Sequence, residues 1–246
     1  SSSHQVFTTL RSKNNLNRVN FYSKILPKSN CITLDDIKNE KKLKNVINKI
    51  NPDLIINCIA VIKHRESCVD GNLEAEYINS IFPHFLKNEC ELRSIKLIHL
   101  STDCVFSGDR GYYSELDEVD AKDFYGISKA KGEIFDSPNV LTIRTSFIGP
   151  SLFYKTGLFE WVKMQEGKTI NGFKNAIYSG LTTIEFSRII NILIRDFQEL
   201  YGLYNLSSDS INKFDLLSLI NDKMKLNISI NEETNFVCDR SLNSEK

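Results

Sequence analysis

Three places in this 246-residue chain carry side chains that could do chemistry together: Ser101-Thr102-Asp103, Tyr125 and Lys129. A tyrosine can give a proton to an alkoxide, but its ordinary pKa of about 10 makes that exchange difficult at neutral pH. A lysine four residues further on lies on the same helix face. Its positive charge stabilises the phenolate and brings the phenol pKa down. The same ammonium can hold the ribose hydroxyls of a nicotinamide nucleotide. The hydroxyl of Thr102 or Ser101 can bind a carbonyl oxygen. Together these groups suit delivery of hydride to a ketone, with Tyr125 supplying the proton.

The Tyr-x-x-x-Lys spacing alone is a weak signal, because exposed helices often carry it. Its weight comes from the elements that must position it. Ile95 to Ser101 reads as a buried strand, followed by a glycine-containing loop, Val105 to Tyr113, and a helix over Asp123 to Phe135. Open α/β sheets place their ligands at the carboxyl ends of strands, where Ser101 and Thr102 fall.

The rest of the chain keeps the same rhythm. Strands are expected at Gln5 to Leu10, Cys31 to Leu34, Asp53 to Ala60 and Val140 to Arg144. Helices are expected over Ile37 to Ile50, with apolar residues at 43, 46, 47 and 50, and over Glu74 to Cys90. Further helices are expected at 156–166, 183–197 and 213–224, with short strands at 175–178 and 202–206. Strands alternating with helices predict a Rossmann-like, doubly wound parallel sheet of the α/β class with a smaller C-terminal α/β substrate lobe. The expected division is a nucleotide-binding domain over 1–148 and a mainly substrate-binding lobe over 149–246. Part of 175–200 is expected to return to the first domain. A glycine-rich phosphate turn normally opens such a fold. No Gly-x-Gly-x-x-Gly occurs and the first glycine is Gly71, so the expectation is that the first βα unit is missing.

Composition excludes some function classes. The 31 basic residues balance 31 acidic ones, which gives no bulk electrostatic case for nucleic acid or an anionic membrane. The longest apolar run, Leu54 to Ile62, is broken by Asn57 and is too short to span a bilayer. The six cysteines form no C-x-x-C pair and lie at no metal-ligand spacing from a histidine, so no metal is expected. They read as reduced, mostly buried thiols of a cytoplasmic protein. His64 and His99 read as structural histidines.

The motifs resemble those of the dTDP-4-dehydrorhamnose reductase family, extended short-chain dehydrogenase/reductases that act on sugar nucleotides. The matching stretches are Pro52-Asp-Leu-Ile-Ile-Asn-Cys-Ile-Ala60, Leu97-Ile-His-Leu-Ser-Thr-Asp-Cys-Val-Phe-Ser-Gly108 and Tyr125-Gly-Ile-Ser-Lys-Ala-Lys-Gly-Glu133. Leu141 to Ser146 and Ser179 to Thr183 also fit. The resemblance implies reduction of a 4-keto-6-deoxy nucleotide sugar for surface polysaccharide synthesis. It makes Tyr125 the acid, Lys129 its partner and Thr102 the carbonyl ligand. Cys58, Ile59 and Ala60, with Ser101, would line the nicotinamide nucleotide, and Asp36 and Ile37 the adenine. Arg11 and Ser12 would meet the ribose 2′ position, where an arginine favours NADP(H) over NAD(H), although Arg11 reads equally as a solvated surface residue. Thr102, Asp103, Val105, Phe106, Thr145 and Trp161 would contact the substrate. The implied partners are a nucleotide sugar and a second copy in a homodimer. Two departures stand out. Cys104 sits where the family often has tyrosine, and Ala60-Val-Ile-Lys-His64 resembles a side branch. Two alternatives follow: an epimerase or dehydratase of the same superfamily, or a non-catalytic nucleotide-binding regulatory subunit.

Overall fold

The computed structural model describes residues 4–11, 24–62, 73–151 and 157–244. The chain divides into two compact units, one ending at Pro52 and the other beginning at Asp53.

In the first unit, β1 (Thr8–Leu10) pairs in parallel with β2 (Cys31–Thr33). Helix α1 (Glu40–Ile50) starts three residues later than its apolar spacing predicts. The reason is local. Asp36 accepts a hydrogen bond from the Lys38 amide, and Asn39 caps the helix by accepting from the Lys42 amide. Leu43 and Ile47, one turn apart, form the buried stripe, and Asn51 closes the helix in the left-handed region at φ 48°.

The second unit runs β3 (Leu54–Asn57), then α2 (Leu73–Glu76), which passes through a π-helical turn at Tyr77–Ile81 into α3 (Phe82–Glu91). Next come β4 (Lys96–Thr102), a short 3-10 turn at Asp103–Val105, α4 (Phe124–Lys131) and β5 (Val140–Thr145). Then follow β6 (Phe147–Ile148), α5 (Leu158–Lys163), β7 (Thr169–Phe173), β8 (Ala176–Tyr178) and β9 (Leu181–Thr182). The chain continues through α6 (Thr183–Asp196), β10 (Gly202–Asn205), β11 (Ile211–Asn212) and α7 (Lys213–Met224), and then β12 (Ser229–Glu233) and β13 (Cys238–Asp239).

Four of these strands form a parallel sheet in the order β10-β5-β4-β3. All six residues of β5 are buried, as expected of a central parallel strand covered on both faces. Ile98, Leu141 and Ile143 form one face with Ile190 of α6, and Leu193 and Ile194 pack against them. The segment after α4 covers the other face, where Thr142 donates to the carbonyl of Ile134 at 2.6 Å. From the C-terminal half, α6 and β10 therefore join this sheet. A second core gathers Val162, Tyr178, Leu216, Leu217, Ile220, Leu226 and Ile228.

The long helices carry their own start signals. Thr182 accepts from the Glu185 amide, and Asn212 accepts from the Asp215 amide. Strands β7 and β12, a parallel pair, were not visible in the periodicity. Their sequences, TINGF and SINEE, mix polar residues and glycine into largely exposed edges.

Candidate active site

The site assembles at the carboxyl end of β4. Thr102 ends the strand, and its hydroxyl accepts from the Cys104 amide at 3.2 Å and donates to Asp103 Oδ1 at 3.0 Å. Asp123 caps α4 by accepting from the Gly126 amide at 2.9 Å. Gly126 lies against the carbonyl of Cys104 so closely that any Cβ there would collide with it. The missing side chain lets the first turn of α4, which bears Tyr125, dock on the turn that follows Thr102.

Tyr125 is half-buried and Lys129 is 2 % exposed. Lys129 Nζ donates to the carbonyl of Leu100 at 2.7 Å. Burial brings the lysine pKa down to about 8, against the opposing negative charge of Glu133. Asp103 is also buried. Desolvation raises its pKa, while hydrogen bonds from Thr102 and Cys104 and the charges of Arg240 and Lys213 work the other way. The structure thus brings Thr102, Asp103, Tyr125 and Lys129 to one end of one sheet. Thr145 faces Thr102 across the β4–β5 ladder. Its hydroxyl is buried and finds no hydrogen-bond partner among the described residues.

Several expected site residues take other positions. Val105 and Phe106, expected to line the substrate, are fully buried and form a core cluster with Tyr113 and Leu242. The chain turns inward directly after Asp103, so these side chains fill the interior. Ser101 alternates to the sheet face opposite Thr102, and its hydroxyl donates to Glu133 Oε1 at 2.6 Å. That hydroxyl is committed to the protein interior. Trp161 on α5 is 39 % exposed, while its neighbour Val162 is buried in the second core and Leu158 and Phe159 pack against it. Cys58 and Ile59 are exposed and Ala60 half-buried just beyond β3. In the first unit, Arg11 is exposed directly after β1, Asp36 is exposed and Ile37 half-buried in the turn before α1. Ser12 and His64 lie outside the described residues. Among the described cysteines only Cys90 is fully buried and Cys58 is exposed, so the thiols are less buried than their composition suggested.

His99 is fully buried against Asn57, with Nδ1 3.1 Å from the Asn57 amide nitrogen, and burial holds its pKa well below the usual range. That is a structural histidine.

Sequence reasoning missed the residues that brace the site. Asn79, in the π-helical turn, accepts from the Val61 amide at 2.9 Å and donates to the Val61 carbonyl and to Ser128 Oγ, both at 3.0 Å. Ser80 donates to the Ser128 carbonyl at 2.8 Å. These two residues clamp the chain after β3 to the residue before Lys129. The π turn itself was the missing signal, since it changes which residues face inward and leaves no mark on apolar spacing.

A parallel α/β sheet ending in a threonine beside a helix-borne Tyr-x-x-x-Lys defines a Rossmann-like protein of the extended short-chain dehydrogenase/reductase type. The chain belongs to the family described as the RmlD substrate binding domain, whose model matches residues 10–159. It is 35 % identical over 117 residues to a probable low-salt glycan biosynthesis reductase of Haloferax volcanii, covering 46 % of this chain and 39 % of that protein. It is 34 % identical over 99 residues to a dTDP-4-keto-6-deoxy-D-glucose reductase of Streptomyces niveus, covering 40 % and 34 %. The matches thus span well under half the length of these curated relatives. Among solved structures it resembles a hypothetical dTDP-4-dehydrorhamnose reductase from Sulfolobus tokodaii, with a TM-score of 0.74 and 27 % identity over 87 % of this chain and 79 % of the other. No helix among the described residues is long and apolar enough to cross a membrane, and no metal-binding cluster occurs among them.

Proposed function

We propose that the protein reduces a 4-keto-6-deoxy nucleotide sugar with NADPH, in the cytoplasm, for surface polysaccharide synthesis. One observation carries this reading: the buried Lys129 ammonium sits on the Leu100 carbonyl, two residues before Thr102, on the helix that bears Tyr125. The names of the relatives support the substrate class.

The residues fit a nicotinamide nucleotide. Exposed Cys58 and Ile59 offer an open surface at the end of β3, and Lys129 offers a cation to ribose hydroxyls. Within the first unit, an arginine directly after β1, as Arg11 is, suits a 2′-phosphate and hence NADP(H) over NAD(H). When bound, the nucleotide supplies the hydride. Thr102 would orient the carbonyl oxygen by its hydroxyl. Tyr125 would hand its phenolic proton to that oxygen as negative charge develops. Lys129 would hold the resulting phenolate.

The test is NADPH consumption with a 4-keto-6-deoxy nucleotide sugar. Tyr125→Phe should lower kcat by about 10²–10⁴-fold. No NADPH consumption by the wild-type protein, or an unaffected Tyr125→Phe variant, sinks the reading. The buried Asp103 beside Thr102 favours one second reading, a dehydratase or epimerase, which would return its hydride and consume no NADPH.

A further inference from the structure

The last three residues of β4 have three different tasks. The Leu100 carbonyl accepts from Lys129, and the Thr102 hydroxyl faces Asp103 and Cys104. Ser101, between them, points to the opposite face and donates to Glu133 Oε1 at 2.6 Å. Glu133 lies two residues past the end of α4. Arg144 faces Ser101 across the β4–β5 ladder and grips the same carboxylate twice, Nε to Oε1 at 2.8 Å and Nη2 to Oε2 at 2.7 Å. Ser101, Glu133 and Arg144 are 5 %, 7 % and 3 % exposed. One buried carboxylate therefore joins the helix of Tyr125 and Lys129 to the ends of both central strands.

We propose that Glu133 is a positioning residue for the Tyr125–Lys129 pair, acting through Ser101 and Arg144; this rests on the reductase reading above. A buried ion pair is poor evidence of stability, since apolar side chains of similar volume often serve as well. What this pair supplies is geometry and charge. It fixes how far Lys129 stands from the strand end that carries Thr102. It also places a negative charge near an ammonium that burial would otherwise discharge. The other groups facing Lys129 act differently. Cys58 beyond β3 works in the same direction as Glu133 only when ionised. His99 of β4 stays neutral. Tyr125 shares the helix, and the charge of Arg144 is matched by Glu133 itself.

The experiment combines an NMR titration of ¹³C-labelled lysine in the unliganded protein with steady-state kinetics. Glu133→Gln should move the Lys129 titration down by about one pH unit or more, because Arg144 is then unmatched. It should lower kcat about tenfold or more and leave KM for the nucleotide sugar within about threefold. Glu133→Asp should restore the titration but not the full kcat, since the charge returns and the reach does not. Should Glu133→Gln fail to fold, the neutral pair Glu133→Gln/Arg144→Gln should show the same kcat loss with a smaller titration shift. A folded variant with unchanged titration and kcat overturns the proposal, as does an aspartate variant no better than glutamine. If the wild-type protein consumes no NADPH while the titration still shifts, the reductase reading falls and the Glu133–Lys129 link stands.

Discussion

Two neighbouring parts of the chain each bury key side chains, Lys129 in one and Phe106 with Tyr113 in the other, with opposite energetic signs. At the end of β4, Lys129 is enclosed as an ammonium with its pKa lowered from 10.5 to about 8. At pH 7 that difference corresponds to about 3 kcal/mol of lost stability. A few residues on, the loop from Val105 to Tyr113 adds stability. Phe106 stacks on Tyr113 with ring centroids 4.1 Å apart and planes 5° from parallel, and the Arg144 guanidinium lies 4.9 Å over Phe106. The C-terminal segment is laced onto this loop. Arg240 donates to the carbonyls of Phe106 and Ser107 at 2.8 and 3.2 Å. The Asp239 amide donates to the Gly108 carbonyl, and Tyr113 exchanges backbone bonds with Ser241 and Asn243. The difference teaches where a functional residue should be sought: in the group whose burial is unfavourable.

The contrast can be broken most forcefully at the loop. Phe106→Ala should lower unfolding stability by about 3–5 kcal/mol in urea melts. A change in substrate KM at unchanged stability would instead return Phe106 to the substrate surface. Lys129→Met should do the reverse, abolishing turnover while raising stability at pH 7 by up to about 3 kcal/mol. The sign follows from linkage. Between about pH 8 and 10.5 the unfolded lysine holds a proton that the folded one has released. Wild-type stability therefore rises with pH through that window, and the advantage of methionine disappears by its top. Thermal melts across this range check it, and a constant advantage would refute the buried charge as the cause. The smallest effect is at the lacing. Arg240→Gln should cost about 1–3 kcal/mol, from two lost carbonyl partners. It should leave the Lys129 titration unmoved, and a shift there would mean the two regions are coupled.

Much of this was legible beforehand. Lys96–Thr102 and Val140–Thr145 fell where they were expected, since central parallel strands covered on both faces are rich in apolar residues, whereas the strand expected over Asp53 to Ala60 spans only Leu54–Asn57, at the end of the sheet order with Ile56 exposed. Helix α7 kept its anticipated bounds because Leu216, Leu217 and Ile220 form a clear buried stripe. Thr102 ends β4, and Tyr125 and Lys129 ride on α4, whose first turn docks on the turn after Thr102. Val105 and Phe106 were misread because an apolar residue beside a catalytic strand end looks alike whether it lines a site or fills a core. What decided between these was a contact with Leu242, more than a hundred residues away.

The sequence by itself determined which groups can move a proton, since residue type fixes the chemistry and helical spacing puts Tyr125 and Lys129 on one face. It also determined that a sheet end would present Thr102. Only the tertiary structure decided that Ser101 turns away from its neighbour, that Glu133 and Arg144 meet beneath it, and that Asn79 braces Ser128. Those pairings join residues on different elements, 11 to 49 positions apart, and no local propensity specifies which buried polar groups will satisfy one another.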